Sequence, residues 1–109
     1  IPAVIDEVTI SMGGPIRVSR YAFPSTQELA DQVCAALEDR KAALISNHGA
    51  VSVGRDLEEA MQICILLERV SEIFVHASAM GEVARLPSEV TDAEQAIYRM
   101  RNPGAGRVR

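Results

Sequence analysis

The pattern of apolar and polar positions along this 109-residue chain predicts three helices. Each helix is announced by a hydroxyl or carboxylate side chain three residues before a glutamate, an arrangement that satisfies free amide groups at a helix N-terminus. The three starts are Ser25 to Glu28, Asp56 to Glu59 and Thr91 to Glu94. We expect the first helix to end near Asp39 and the third to run from about Asp92 to Arg101.

The second helix is the longest and most apolar, and Gly81 is its expected C-terminal cap. Its main apolar stripe consists of Leu57, Ala60, Met61, Cys64, Leu67, Ser71, Phe74 and Val75, and further apolar residues widen it. A helix that is apolar over so much of its circumference is usually covered both by its own domain and by a neighbour. We therefore expect a homo-oligomer, with a tetramer as the expected form.

Three apolar runs that lie between the helices predict β-strands. They cover Ile16 to Arg20, Ala42 to Ser46 and Ala50 to Val53. Only Asn47, His48 and Gly49 separate the last two runs, which predicts a tight strand-to-strand reversal with His48 at its tip or just before it. Strands interleaved with helices in this way predict a layered α/β domain.

Composition narrows the class of protein further. The 15 acidic and 11 basic residues are spread along the chain and leave a net charge of −4, which argues against a nucleic-acid surface. At 48% hydrophobic, the chain has apolar material for one domain. No apolar stretch reaches the roughly 18 residues of a membrane span, and we recognise no signal peptide. Cys34 and Cys64 are far apart in the sequence, so we interpret both as core thiols of a cytoplasmic protein.

The start of the chain favours a piece of a longer protein. It begins with Ile1-Pro2 instead of methionine. We assign residues 1–101 to part of one domain and residues 102–109 to a flexible tail. Four arginines gather near that end, at Arg99, Arg101, Arg107 and Arg109, and an anion-binding arm is the alternative to a simple tail.

The segment Asn47-His48-Gly49 carries the strongest candidate for chemistry. A histidine at the end of a buried strand, followed by a residue that permits close backbone approach, is how many proteins aim an imidazole into a cleft. The alternative is a core or turn histidine whose ring bonds a backbone carbonyl. The other histidine, His76, has only Glu72 as an acidic neighbour at helical spacing, so we interpret it as a packing residue or a subunit contact.

Two further motifs offer weaker candidates. Asp6 and Glu7 are adjacent carboxylates, and either could act as a general acid or base if burial raised its pKa. Adjacent side chains of an extended segment point to opposite sides, so at most one would face a given cleft, and a solvated pair is the simpler interpretation. The segment Met12 to Pro15 contains two glycines but lacks the lysine and the following helix of a phosphate-binding loop, so we interpret it as a turn.

Beyond single motifs, a series of short segments matches a known pattern in order and spacing. The segments are Ile1-Pro2-Ala3-Val4, Met12-Gly13-Gly14, Ile16, Tyr21, Glu28-Leu29-Ala30, Arg40-Lys41-Ala42, Asn47-His48-Gly49, Gly54 to Ala60 and Leu67-Glu68. Together they resemble the C-terminal half of the class II aldolase/adducin family, over about Ile1 to Met80. The likeness is nearest to sugar-phosphate aldolases of the fuculose-phosphate type. It implies a three-layer α/β/α fold around a mainly antiparallel central sheet.

The resemblance also implies a metal and a mechanism. Family members hold zinc, or another divalent metal ion, through an H-x-H pair and a third histidine from an H-G turn, which His48-Gly49 matches. The metal polarises the carbonyl and hydroxyl oxygens of a small sugar phosphate or related hydroxy-carbonyl compound, which stabilises the enediolate of carbon–carbon cleavage. His48 is accordingly the expected metal ligand. Asn47 is a candidate for a residue that orients this ligand, and the alternative is that it only forms the turn.

Parts of the family pattern are absent from this sequence. The H-x-H pair, the acidic residue that usually moves the proton and the phosphate-cradling loops lie upstream of the segment that matches Ile1-Pro2. Asp6 stands at or near the place of a tyrosine that reaches into a neighbouring subunit's site. We therefore expect the C-terminal part of a zinc-dependent aldolase-like lyase whose acid/base group lies upstream. The alternatives are a related epimerase, dehydratase or decarboxylase, and a non-catalytic interaction domain like the head of adducin.

Overall fold

The structure is a computed structural model that describes residues 1–104, in which four helices and three strands are formed. In chain order they are α1 (Asp6–Ile10), β1 (Arg17–Val18), α2 (Gln27–Leu37), β2 (Ala42–Ile45), β3 (Gly49–Ser52), α3 (Leu57–Met80) and α4 (Ser88–Arg101). The predicted flexible tail, residues 102–109, falls largely on residues 105–109, which lie outside the described residues, and it stays a prediction.

The three strands form one mixed sheet in the order β1-β2-β3. β1, which is limited to Arg17 and Val18, runs parallel to β2 and is shorter than predicted. β2 and β3 form an antiparallel hairpin in which Ile45 lies opposite Gly49. The parallel pair has an important consequence for the site, because it brings the carboxyl ends of β1 and β2 to the same edge of the sheet.

Helices cover both faces of this sheet. Ala42 of β2 belongs to a buried cluster that includes Ile63 and Val70 of α3. Ala43 is fully buried but lies outside that cluster. Successive strand residues point to opposite faces, so Ala43 faces the other side of the sheet, where α2 packs on β1 and β2. The predicted α/β/α layering is therefore confirmed.

The predicted start of α3 is confirmed, and that of α2 is shifted by one residue. Asp56 accepts a hydrogen bond from the Glu59 N–H at 2.8 Å, as expected for an N-cap. In α2 the cap is Thr26, whose Oγ1 accepts from the Leu29 N–H at 3.2 Å. Ser25 instead takes a positive φ of 61° outside the helix, so its hydroxyl does not cap it.

Two other helices depart further from the prediction. α4 begins at Ser88, and Thr91, the expected start, lies inside its first turn and donates its hydroxyl proton to the Ser88 carbonyl. Pro87 is the N-cap residue, with a φ of −59° and a ψ of 147°, so the helix starts directly after this proline and three residues before Thr91. Asp6 and Glu7 do not lie on an extended segment, because they begin the short helix α1.

α3 has two apolar faces, and only one of them is covered in this chain. Ile63 and Val70 are buried, whereas Met61, Cys64 and Ile65 lie on a different, exposed face. Cys34 is exposed as well, so the prediction that both cysteines are core thiols is wrong for this chain. Ile63 to Leu67 are five consecutive apolar residues that together occupy the whole circumference of the helix, and sequence periodicity therefore could not indicate which face is covered.

No helix in the described part of the chain, the 24-residue α3 included, is long and apolar enough to cross a membrane.

The link from β3 to α3 is tight. A Cβ atom on Gly54 would lie 2.6 Å from the Ala60 nitrogen, so only glycine allows the strand to approach the helix this closely. Ser52 at the end of β3 donates its hydroxyl proton to the Ala60 carbonyl at 2.9 Å. Lys41, just before β2, pairs with Glu59 of α3 at 2.8 Å between Nζ and Oε1. The start of α3 is thus bound to both strands of the hairpin.

α4 docks on the rest of the fold through Tyr98, which is 1% exposed. Its hydroxyl donates to the Asp39 carbonyl at 2.7 Å. Its ring lies against Gly13, which has a φ of +92° and where an added Cβ would lie 2.8 Å from two ring carbons. The segment from Met12 to Pro15 is a turn, as predicted, and its first glycine makes room for this aromatic ring.

We expect Gly13→Ala to destabilise the fold by about 2–4 kcal/mol, because it combines backbone strain with a clash against Tyr98. Gly81→Ala is the matched control, since Gly81 also has a positive φ, of 142°, but a Cβ there would meet nothing within 4 Å. It should cost about 1 kcal/mol. Urea denaturation followed by circular dichroism measures both, and equal losses would show that the contact with Tyr98 contributes nothing.

Candidate functional site

His48 lies in the turn that joins β2 to β3, as predicted, but the turn is Ser46 to His48, one residue earlier than expected, so His48 is its last residue and does not lie at its tip. Its N–H donates to the Ile45 carbonyl at 3.0 Å, which closes the turn. Asn47 and Gly49 on either side both have positive φ, of 60° and 147°. A Cβ on Gly49 would meet nothing within 4 Å, so this glycine serves the backbone conformation of the turn and not the close approach we expected.

Asn47 fits the turn in its own right. Asparagine tolerates the left-handed conformation better than most residues do. Its Oδ1 accepts a hydrogen bond from Ser46 Oγ at 2.9 Å, within the same turn. These contacts support a role for Asn47 in forming the turn. Its other role, in orienting a metal ligand, stays a prediction.

The imidazole of His48 is held by two neighbours from the loop between β1 and α2. Its Nε2 lies 3.2 Å from the Ala22 carbonyl oxygen. The Tyr21 ring is stacked on it, with 5.7 Å between ring centroids and 8° between ring planes. Because a carbonyl oxygen only accepts, Nε2 carries the hydrogen in this contact, and in the neutral ring the lone pair lies on Nδ1.

The loop that carries Tyr21 is fastened to the hairpin and to α2. The Ser19 N–H donates to the Leu44 carbonyl at 2.8 Å, and Ser19 Oγ accepts from the Ser46 N–H at 3.3 Å. At the other end of the loop, Thr26 Oγ1 donates to the Phe23 carbonyl at 2.7 Å. The loop is therefore anchored before Tyr21 and after Ala22.

Sequence reasoning missed these partners of His48. Tyr21 entered only as one position of the family pattern, and Ser19 and Ala22 were not singled out. The signal that could have found them is the parallel pairing of β1 and β2, because residues that follow two parallel neighbouring strands meet at one sheet edge. A sheet expected to be mainly antiparallel gave no reason to join these two loops.

The structure does not bring the other candidates to His48. His76 is exposed on α3, and its Nε2 is 3.8 Å from Glu72 Oε1, so packing within this chain is not its role. A subunit contact at His76 stays a prediction. Asp6 and Glu7 on α1 lie beside Glu94 of α4, with which α1 packs.

The donors in the described residues do not fit a complete metal site. Within residues 1–104, no group of three histidine, cysteine, aspartate or glutamate side chains is arranged to hold a metal ion. His48 offers one donor, with its second ring nitrogen bonded to a carbonyl. Any complete site would need ligands from residues beyond those described.

An open cleft of about 470 Å³ lies near the start of β2 and does not include His48. Its polar lining comes chiefly from Lys41, Arg55, Glu59 and Arg101. Glu59 pairs with both Lys41 and Arg55, and its hydrogen bonds to the Arg55 backbone and the Lys41 ammonium lower its pKa to about 2. Glu59 therefore stays ionised and neutralises part of the positive charge of this cleft.

Fold and turn together define a three-layer α/β domain that presents one imidazole on a strand-to-strand turn. The family profile described as Class II Aldolase and Adducin N-terminal domain matches residues 1–75. The chain belongs to this family, and the resemblance seen in the sequence is confirmed.

Two curated relatives show how the match is distributed. The 5-methylthioribulose-1-phosphate/5-deoxyribulose-1-phosphate aldolase of Rhodospirillum rubrum is 31% identical over 104 residues, which are 95% of this chain and 46% of that protein. The L-fuculose phosphate aldolase of Escherichia coli K12 is 30% identical over 82 residues, 75% of this chain and 38% of that protein. The chain thus spans about half the length, or less, of the curated relatives it matches.

Solved structures agree with the fold. An L-fuculose 1-phosphate aldolase superposes with a TM-score of 0.82 at 31% identity, covering 90% of this chain and 46% of that one. YgbL from Escherichia coli superposes with a TM-score of 0.75 at 22% identity, covering 87% of this chain and 45% of that one. The second likeness supports the fold alone.

The carboxylates beside α1 make a prediction about stability. Glu94 is 8% exposed and its Oε2 has no hydrogen-bond partner within the described residues, and burial together with the nearby Asp6 and Glu7 carboxylates raises its pKa above the usual value. Because the folded state holds the Glu94 proton more tightly than the unfolded state does, the folded chain loses stability as the pH rises through the pKa of Glu94. We expect Glu94→Gln to stabilise the fold by about 1 kcal/mol at pH 7, with the gain vanishing below pH 4.5.

Urea denaturation at several pH values measures this effect. Glu89→Gln, on the exposed surface of the same helix, serves as the control and should change stability little at any pH. A Glu94→Gln variant that is less stable than the parent at pH 7 would contradict the assignment of an unfavourable buried charge.

Proposed function

We propose that this chain forms part of a metal-dependent aldolase-like lyase that acts on a small phosphorylated sugar. The observation that carries the proposal is the position of His48, which matches the histidine of the family's H-G turn, in the exposed turn of the β2–β3 hairpin. The names of the relatives support the substrate class, since they are aldolases of ketose phosphates. Among the alternatives, epimerase, dehydratase and decarboxylase chemistry share this scaffold and are outcomes of the assay below.

In this proposal His48 contributes one ligand, and residues beyond the described chain supply the others. Its geometry supports that role, because metal-binding histidines usually donate their second ring N–H to a carbonyl or carboxylate, as His48 does to Ala22. A bound zinc or similar ion would supply a Lewis acid towards the carbonyl and hydroxyl oxygens of the substrate. The residues of this chain orient that ligand: the hairpin turn places it, and Asn47 allows the turn.

We expect His48→Ala to remove most of the zinc from a longer form of the protein that includes the upstream H-x-H segment expected from the family. The physical reason is the loss of one of three imidazole ligands. Elemental analysis of purified protein measures the metal content. His76→Ala is the matched control, since His76 is the other histidine of these 109 residues and lies exposed on α3, and this variant should keep its metal.

Activity assays identify the reaction and test the role of His48 in it. Cleavage of L-fuculose 1-phosphate, 5-deoxyribulose 1-phosphate and 5-methylthioribulose 1-phosphate is assayed with the parent, and His48→Ala should lower kcat/KM for the cleaved substrate at least about 100-fold. Equal metal content in both histidine variants would contradict the ligand assignment. A parent protein that binds metal but cleaves none of the three substrates would point to epimerase, dehydratase or decarboxylase chemistry. A parent protein that neither binds metal nor cleaves a substrate would favour an interaction domain.

Assembly is the second part of the proposal, and α3 carries it. Its uncovered face presents Leu57, Met61 and Ile65, of which Leu57 is 80% and Ile65 is 64% exposed. Contiguous apolar patches of this kind mark interaction surfaces in soluble proteins. We propose that a second copy of the chain covers this face, so that a homo-oligomer forms. The same face would serve the non-catalytic interaction domain that is the rival of the lyase.

The expected result is that the parent chain associates in solution and that Ile65→Glu shifts it towards monomer, because a charge would have to be buried in the interface. Light scattering coupled to size exclusion measures the mass. Met100→Glu is the control, since Met100 is similarly exposed but lies on α4, outside the α3 face. A folded parent chain that is monomeric at every concentration would contradict the assembly.

A further inference from the structure

The imidazole of His48 has an unusually complete set of contacts for a side chain at an exposed turn. Such side chains normally sample several rotamers, because no packing selects one. Here the ring meets the Ala22 carbonyl at one edge and the Tyr21 ring on one face. Both partners come from a loop 26 residues earlier in the chain.

The stacked geometry is specific. The two rings are nearly parallel, at 8°, while their centroids are 5.7 Å apart. Parallel planes at that separation are offset from one another, an arrangement that aromatic pairs prefer over a direct sandwich. The stack restrains the tilt of the imidazole, and the Ala22 carbonyl restrains its rotation about the Cβ–Cγ bond.

Tyr21 is not a residue of the hydrophobic core. Its side chain is 56% exposed, and the stack on His48 is the aromatic contact that it makes within the described residues. Phe23, two residues later, is 71% exposed and makes no aromatic contact in the described part of the chain. Of the two aromatic residues of this loop, Tyr21 alone is stacked on His48 within the described residues.

The loop that carries Tyr21 and Ala22 is itself held against the hairpin. Ser19 ties the loop to Leu44 and Ser46, the residues that lead into the hairpin turn. Ala22 itself is buried, so its carbonyl is not free to swing away from the imidazole. Two hydrogen bonds therefore join the loop to the hairpin at the carboxyl ends of the parallel strands.

We infer that Tyr21 is a positioning residue, which together with the Ala22 carbonyl holds the His48 imidazole in one orientation ready for a ligand. This inference rests on the proposed function only for the nature of that ligand. The orientation itself is a property of the 109-residue chain, and it is measurable without metal or substrate.

The first test is proton NMR of the metal-free chain. The chain has two histidines, so His76→Ala identifies the ring signals of His48 by elimination. In the parent we expect cross-relaxation between the Tyr21 and His48 ring protons and a ring-current shift of the His48 signals. Tyr21→Ala should abolish that shift, Tyr21→Phe should restore it, and Phe23→Ala should leave it unchanged.

Folding is controlled independently. Circular dichroism and the remaining spectrum report whether each variant keeps the parent fold, and the cross-relaxation in the parent needs no variant at all. A folded parent without contact between the two rings would overturn the inference. So would a folded Tyr21→Ala variant whose His48 signals match those of the parent.

The second test connects the orientation to ligand binding, with zinc as the probe in the longer protein. Tyr21→Ala should weaken zinc binding about tenfold, the usual effect of losing a group that orients a metal ligand, while Tyr21→Phe and Phe23→Ala should not. Equal zinc affinity in parent and Tyr21→Ala would overturn the inference. If the parent binds no zinc, the proposed function fails and the NMR result alone decides the role of Tyr21.

Discussion

The position of Tyr98 is the constraint on which the rest of the structure depends. Its ring occupies the space that Gly13 leaves free, and its hydroxyl binds the Asp39 carbonyl. Its ring also lies 5.8 Å below the Lys41 ammonium, a cation–π distance. Burial, more than any neighbouring charge, raises the pKa of Tyr98 to about 12, so the hydroxyl keeps its proton and its hydrogen bond under ordinary conditions. One side chain of the last helix thus sets where β2 begins.

What happens at the other end of β2 follows from that start. β2 is only four residues long, and the turn with His48 comes directly after it. Lys41 at its start is held by the Met12 carbonyl, at 2.9 Å, and by Glu59, and Leu44 near its end is held by Ser19. A short strand that is restrained at both ends transmits little motion. The exposed imidazole therefore follows a strand that is held at both ends, although nothing in the residues next to His48 indicates this.

Local signals in the sequence were sufficient for the main elements and for the central residue of the site. The capping pattern at Asp56, the glycine after Met80 and the reversal around His48 each depend on neighbouring residues, and each was predicted correctly. Errors arose where distant residues decide. Cys64 was placed in a core because its neighbours are apolar, and the partners of His48 were missed because a parallel pairing between β1 and β2 leaves no local mark. Pro87 shows a third cause, since two competing local signals for a helix start lay four residues apart.

The glycine between the hairpin and α3 couples two features that are otherwise unrelated. Because Gly54 lets β3 approach the first turn of α3, the hairpin and this helix are joined without slack. Leu57, on the uncovered face, is the first residue of that helix, and His48 lies at the far end of the hairpin. Any symmetric assembly on α3 would then also set the distances between the imidazoles of different subunits. A side chain at position 54 would push the hairpin away from α3, and it would therefore also change where His48 lies relative to such an assembly.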